Sequence, residues 1–299
     1  MVRIKNYLSL VKFSHTIFAM PFAMIGLFLG GTYGEPVYDS YLQNQLYGYL
    51  HPFVVTALLV IICMVTARSA AMAFNRFLDR AFDAKNPRTA IREIPKGIIS
   101  PESALRFVIL NSIVFVVATW FINPLCFYLS PVALFVILFY SYTKRFTMLC
   151  HLVLGLGLSL APIGAYLAVT GVFDWLPILF SMSVIFWVSG FDIIYAMQDV
   201  DFDQSQKLHS IPATLGKGKA LQLSVLLHLF SAGCIIIAGM YGGFHWLYWI
   251  GAAIFCGMLI YQHSIVKPND LSRVNIAFMT ANGIASVVFG VLVIAAMFL

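Results

Sequence analysis

Apolar stretches of about 20 residues alternate along this chain with short polar connections. A bilayer core about 30 Å thick needs about 20 apolar residues per helix. Nine stretches reach that length, at roughly 15–33, 52–74, 104–122, 124–142, 150–170, 175–194, 220–241, 244–265 and 275–298. The pattern predicts an all-α, polytopic membrane protein with nine transmembrane helices in one bundle over residues 1–299. No separate soluble domain is visible. The connections alternate as well. The N-terminus, 75–103, 143–149, 195–219 and 266–274 hold Lys and Arg, whereas 34–51, the Asn123 turn, 171–174 and 242–243 hold none. Glu35, Asp39 and Asp174 are the only charges on that second side. The positive-inside rule then puts the N-terminus and the basic loops in the cytoplasm and the C-terminus outside. Eight or ten spans would put a basic loop on the wrong face. Gly26 and Gly30, four apart, predict a close helix contact.

Composition agrees. The chain is 61% hydrophobic and 10% charged, against about 25% charged in soluble domains. Its net charge of +6 belongs to loop topology and does not point to nucleic acid. The apolar run after Arg3, Lys5 and Lys12 lacks a small-residue cleavage pattern and is expected to stay as the first helix. Five scattered Cys form no CxxC pair and seven His form no HxxxH, so neither a zinc site nor a disulfide framework is expected. The loops 75–103 and 195–219 are the places for a polar cap. Pro87, Pro95, Gly97 and Pro101 are expected to break the first into short pieces, and Gly216 and Gly218 to end the second.

Two acidic clusters stand out at the ends of the second and sixth spans. Asn75, Asp79 and Asp83 recur at i, i+4 and i+8, which share one helical face if the helix continues past the lipid boundary. Arg68 lies seven residues earlier, within about 20° of Asn75. Asp192, Tyr195, Asp199 and Asp203 form a second stripe, under about 90° wide. Arg68, Asn75 and Asp79 are spaced 7 and 4 apart, as are Asp192, Asp199 and Asp203, a faint sign of duplication. Like charges one turn apart repel, by as much as about 4 kcal/mol at an effective dielectric near 20. A cation would relieve that. Mg²⁺ takes oxygen ligands, often one or two carboxylates plus substrate phosphates. The alternative is a solvated helix end whose acids pair with Arg76, Arg80 or Arg92. Arg68 sits inside an apolar span, where a charge points to function. It either holds a substrate carboxylate or snorkels to the headgroups. Arg88, Arg92, Lys96, Lys144, Arg145 and Lys207 gather around the same mouth and would neutralise a diphosphate.

These residues resemble the UbiA superfamily of intramembrane aromatic prenyltransferases. The first match is Asn75-xxx-Asp79-xxx-Asp83, followed by the run from Arg88 through Arg92 to Gly97. The second runs from Gly190 through Asp192 and Tyr195 to Asp199 and ends at Asp203. A third, Tyr140 to Thr147, is similar to the family's Tyr-Pro-x-x-Lys-Arg segment, and the opening Lys12 to Phe22 also resembles it. The resemblance implies a cytoplasmic cap, a cavity open to lipid, and transfer of a polyprenyl group from its diphosphate to a small aromatic ring. It implies two Mg²⁺ ions, one held by Asn75, Asp79 and Asp83 and the other by Asp199 and Asp203. Tyr140, Lys144, Arg145, Arg88, Arg92 and Lys207 would bind substrate, with Lys144 and Arg145 on the diphosphate. Arg68 would hold the acceptor carboxylate, and Asp192 and Tyr195 would lie near the ionising bond.

Two positions depart from the family pattern. Arg76 stands where an Asp is usual, and Ser141 stands in place of Pro. The Asn-Arg form resembles a bacterial subgroup described as 4-hydroxybenzoate polyprenyltransferase-like. That implies an inner-membrane enzyme of ubiquinone or menaquinone biosynthesis, acting on 4-hydroxybenzoate or on 1,4-dihydroxy-6-naphthoate. A secondary transporter and a non-catalytic membrane assembly protein are the rival classes. The first would more naturally place its charges at midplane on broken helices.

Overall fold

A computed structural model describes residues 2–11, 20–37 and 51–299. The Lys12–Ala19 part of the opening motif, Asp39 and most of the 34–51 connection lie outside the described residues, as do the side chains of Arg3 and Lys5. The described residues are helical throughout apart from loops and one isolated bridge between Lys267 and Asp270. Among the described residues a helix falls in each expected stretch, the first being described only from Met20. Seven helices are long and apolar enough to cross a membrane. Met20–Thr32 is short within the described residues, and Trp246–Ile265 ends on the polar Gln262 and His263.

The chain forms two compact units. The first comprises residues 1–16 and 38–143. It holds α1 (Val2–Leu10), α3 (Pro52–Leu78), α4 (Arg80–Lys85), α5 (Pro101–Trp120) and α6 (Pro124–Thr143). Helix α3 outruns its expected end by four residues, because Asn75 to Leu78 keep helical geometry beyond the apolar run. Pro101 does not break the loop into pieces. It opens α5 at the first turn, where its missing N–H costs nothing, and Ser100 caps that helix by accepting from the Ser103 N–H at 3.2 Å. A small core of Leu10, Ala70, Ala73, Ile94, Ile99, Ala104 and Val108 ties the loop after α4 to α3 and α5.

The second unit comprises residues 17–37 and 144–299. It holds α2 (Met20–Thr32), α7 (Cys150–Thr170), α8 (Trp175–Ala196), α9 (Val200–Ser205), α10 (Ile211–Leu215), α11 (Lys217–Gly242), α12 (Trp246–Ile265) and α13 (Ile276–Ala296). Gly26 and Gly30 do make the expected close contact. A Cβ on Gly26 would collide with the Pro162 carbonyl of α7. Gly216, at φ +81°, separates α10 from α11, whereas Gly218 lies within α11. Phe22, Phe180, Trp187, Tyr248, Phe255 and Phe289 fill the core.

Helix α13 opens with one wide π turn, Ile276–Ala281. Such turns leave carbonyls without their usual partner. Here the Asn282 Nδ2 donates to the Ala277 and Phe278 carbonyls at 3.3 and 3.0 Å. Its Oδ1 accepts from Trp187 Nε1 at 2.9 Å and Gln262 Nε2 at 2.8 Å. One buried amide thereby pins α8 to α12 and α13, on the helix that carries Asp192.

Candidate active site

The first acidic segment lies in the first unit. Helix α3 ends at Asp79, whose backbone sits at φ −89° and ψ 7°, and α4 follows at once. The i to i+4 pattern survives the break. Asp79 N–H donates to the Asn75 carbonyl at 2.9 Å and Asp83 N–H to the Asp79 carbonyl at 2.8 Å. Asn75 Nδ2 also donates to Asp79 Oδ2 at 3.2 Å. Asn75, Asp79 and Asp83 therefore stay in register, as their spacing predicts. Asp83 is buried, and Arg92 Nη1 lies 2.7 and 2.8 Å from its two carboxylate oxygens. Thr89 Oγ1 caps the Asp83 carbonyl at 3.1 Å.

Arg76 is turned by about 100° from Asn75 and is 3% exposed. Its Nη1 meets Glu93 Oε2 at 3.0 Å, and the Ser9 hydroxyl donates to the other Glu93 oxygen. The residue that departs from the acidic pattern is thus a buried tie between α3 and the following loop. It withdraws no ligand from the Asn75–Asp79 face. Further up α3, Arg68 Nε is buried and bonds no group among the described residues. Tyr140 lies within electrostatic reach of Arg68. A buried guanidinium N–H without an acceptor is costly, so this nitrogen calls for an acceptor. Arg88 and Lys96 are exposed on the loop.

The second acidic segment lies in the second unit. Helix α8 tightens into a single 3₁₀ turn, Met197–Asp199, before α9 begins. Asp199 sits at φ −104° and ψ 6°, almost the backbone of Asp79. Asp203 is fully buried. Lys144 Nζ lies 2.7 Å from its Oδ1, and Ser210 Oγ donates to its Oδ2 at 2.9 Å. Burial alone would lower the Lys144 pKa, but the Asp203 carboxylate outweighs it and holds the ammonium above its ordinary value. Ser210 also caps α10 through the Ala213 N–H at 3.3 Å. Arg145, beside Lys144, is half-buried.

Lys207 is exposed and is the one non-glycine residue at positive φ among those described, at +55°. It takes the position after a helix end that usually belongs to Gly. Leu208 N–H donates to the Asp203 carbonyl at 2.8 Å, and Lys207 N–H to the Gln204 carbonyl at 3.2 Å. This is the paired closure of a helix C-terminus. The left-handed backbone costs a side-chain-bearing residue about 1–2 kcal/mol.

Asp192 and Tyr195 precede the break on α8. His151 Nδ1 lies 2.7 Å from Asp192 Oδ2, and His151 Nε2 accepts from the Ile211 N–H at 3.3 Å. The Tyr195 ring packs on Phe278 at 4.2 Å between centroids. Phe278 belongs to the π turn of α13, so that turn presents the ring Tyr195 rests on. His151, Ser210, Thr89 and Glu93 were not legible as site residues. His151 contacts an acid 41 positions away, and a lone His in an apolar helix carries no spacing signal.

Among the described residues no group of three or more His, Cys, Asp or Glu side chains is gathered to hold an ion alone. The oxygen donors of Asn75, Asp79 and Asp199 are of the kind Mg²⁺ takes, with waters and phosphate oxygens completing its shell.

A model of the UbiA prenyltransferase family matches residues 44–284. The chain is 31% identical to a 4-hydroxybenzoate octaprenyltransferase of Nitrosospira multiformis over 239 residues, 79% of this chain and 81% of the relative. It is 29% identical to the enzyme of that name from Tolumonas auensis over 228 residues, 76% and 79% of the two chains. Among solved structures, the apo form of a UbiA homolog from Aeropyrum pernix superposes with a TM-score of 0.77 at 27% identity, covering 95% and 97% of the chains. A UbiA homolog from Archaeoglobus fulgidus bound to GPP and Mg²⁺ shares the fold at a TM-score of 0.69 and 18% identity, over 98% and 100% of the chains.

Proposed function

The chain belongs to the UbiA prenyltransferase family and is an integral membrane aromatic prenyltransferase; from that premise we propose that it transfers a polyprenyl group from its diphosphate to a carboxylated aromatic acid, in quinone biosynthesis. 4-Hydroxybenzoate is the acceptor named for the relatives. 1,4-Dihydroxy-6-naphthoate is the second candidate, since it offers Arg68 the same carboxylate. One observation carries the reading. An acidic helix end occurs twice, with the same break at Asp79 and Asp199 and a buried acid four residues on, held by a cation.

In this reading both segments act on one diphosphate. Asp79 with Asn75, and Asp199, would hold two Mg²⁺ ions, one per segment. Asp83 and Asp203 would join them where Arg92 and Lys144 turn to the diphosphate. Mg²⁺, when bound, neutralises the diphosphate and eases its departure. The chain's own cations do the rest of that work: Arg92, Lys144 and Arg145, with Arg88 and Lys207 at the rim, stabilise charge building on the leaving oxygens. Arg68 fixes the acceptor carboxylate and so orients the ring. The allylic C–O bond breaks with its electron pair leaving on pyrophosphate. A ring carbon forms the new C–C bond, and Asp192 takes the ring proton. Tyr195 lines the ring. Apolar helices keep water from the cation. The nine-span single domain, cytoplasmic cap and N-in, C-out orientation in a bacterial inner membrane belong to this proposal.

Purified protein given Mg²⁺, geranyl diphosphate and each aromatic acid should release pyrophosphate and yield a prenylated acid by mass spectrometry. EDTA should abolish both. Turnover that ignores EDTA, or no product with any aromatic acid, would overturn the reading.

A further inference from the structure

The mechanism uses Asp192 but leaves open what holds its carboxylate. A histidine holds it. His151 projects from the first turn of α7, is 3% exposed, and places Nδ1 2.7 Å from Asp192 Oδ2. Its other nitrogen faces the Ile211 N–H at 3.3 Å. An amide N–H can only donate, so Nε2 must present its lone pair there. The ring is then neutral, carries its proton on Nδ1, and donates it to Asp192. We propose that His151 is a positioning residue for Asp192, fixed in its Nδ1–H tautomer by the backbone of Ile211.

A neutral donor on Oδ2 satisfies one of the two carboxylate oxygens of Asp192. It also immobilises the side chain, so Oδ1 is presented in one direction. Asp192 is 24% exposed while His151 is nearly sealed, so the acid has an open side and the histidine has none. His151 therefore cannot exchange protons with solvent directly, which separates it from a general base. Ser189 Oγ, on α8, donates to the His151 carbonyl at 3.1 Å and fixes the turn that bears the ring.

The same backbone links the two ends of the acidic stripe. Ile211 follows Ser210, whose hydroxyl holds Asp203, and Asp203 holds Lys144. His209, one residue earlier, donates its N–H to the Lys144 carbonyl at 2.7 Å. From Lys144 through Asp203, Ser210, Ile211 and His151 to Asp192 runs one chain of contacts. The start of α10 thus sets the His151 tautomer and holds Asp203 as well. Any shift there when Lys144 or Asp203 changes partner reaches Asp192 through one ring.

The inference rests on the proposed activity for its kinetic consequence, but the tautomer can be read without turnover. ¹⁵N spectra of histidine-labelled protein in detergent, assigned with His151→Asn, should show His151 neutral and protonated on Nδ1. An imidazolium or an Nε2–H tautomer would overturn the proposal whether or not the protein transfers prenyl groups. In the kinetic arm, His151→Leu should lower kcat about 10–100-fold and leave KM for geranyl diphosphate and for the acceptor near wild type. His151→Asn puts an amide N–H where Nδ1 stands and should recover most of kcat. Wild-type kcat in His151→Leu, or equal losses in the Leu and Asn variants with unchanged melting temperature, would overturn it. A prenyl-transfer assay that fails for the wild type itself would count against the activity alone.

Discussion

The two acidic segments share a plan and divide a task. Each long helix breaks at an acid, Asp79 or Asp199, with nearly the same backbone angles. Each continues as a six-residue helix whose fourth residue, Asp83 or Asp203, is buried against a cation. What surrounds that plan differs. The first segment draws its cation, Arg92, from nine residues downstream and has above it an Arg68 Nε with no partner among the described residues. The second draws Lys144 from 59 residues upstream and adds the Asp192–His151 pair, for which the first has no counterpart among the described residues. In the proposed reaction the shared part would serve a diphosphate, and the unshared parts, the Arg68 guanidinium and the held Asp192, would serve the acceptor.

The shared part is broken most severely at the helix breaks. Asp79→Asn and Asp199→Asn should each lower kcat/KM by about 10²–10³-fold, the usual loss when a preorganised charge contact to the reacting group goes. Assays with geranyl diphosphate, on variants that elute and melt like wild type, check this. Near-normal rates in one of the two would show that the segments are not equivalent.

Arg76 sharpens the comparison in the other direction, because it sits beside the shared face without joining it. Arg76→Ala leaves the half-buried Glu93 carboxylate with only the Ser9 hydroxyl as partner and should cost about 1–3 kcal/mol of stability. Its kcat in the folded fraction should stay near wild type. A large loss of kcat with an unchanged melting curve would put Arg76 back in the chemistry.

The unshared clamp is next. Arg68→Ala should raise KM for carboxylated acceptors by about 10–100-fold, from the loss of a charge-assisted hydrogen bond of about 1.5–3 kcal/mol. Phenols lacking the carboxylate should be spared. An equal loss for both acceptor types would remove the clamp from the account.

The smallest effect concerns Lys144. Its pKa is raised, so its pairing with Asp203 contributes fully below the ordinary lysine value of about 10.4. That contribution is lost as pH rises through the folded value. Lys144→Met should therefore melt lower than wild type at neutral pH, and the gap should close in strongly alkaline buffer. Lys144 is about a third exposed, so solvent screening keeps the effect modest. A gap that widens with pH would contradict the pairing.

Much of this plan was written in local spacing. Asn75, Asp79 and Asp83 were readable because each i to i+4 step survives the break. The break itself was not, since neither Gly nor Pro marks Asp79 or Asp199. The internal echo was visible in the wrong register: spacing matched Arg68, Asn75 and Asp79 to Asp192, Asp199 and Asp203, whereas the backbone matches Asp79 to Asp199 and Asp83 to Asp203. Contacts across long separations left no trace in the pattern. Arg76, standing where an Asp is usual, has its partner in Glu93, 17 residues on. The sequence offers Arg92 both as a partner of the acids and as a diphosphate contact, and the structure shows the pairing with Asp83. Hydropathy gave the helices, but Pro101 looked like a breaker because its role depends on which side of it the helix lies.

Whether the two segments serve one ligand is most directly read from a double-mutant cycle. Mg²⁺-dependent binding of geranyl diphosphate would be titrated for wild type, Asp79→Asn, Asp199→Asn and the double variant. A shared diphosphate predicts that each single change weakens binding strongly and that the double change adds far less than their sum. Losses that simply add, or wild-type affinity in either single variant, would contradict it.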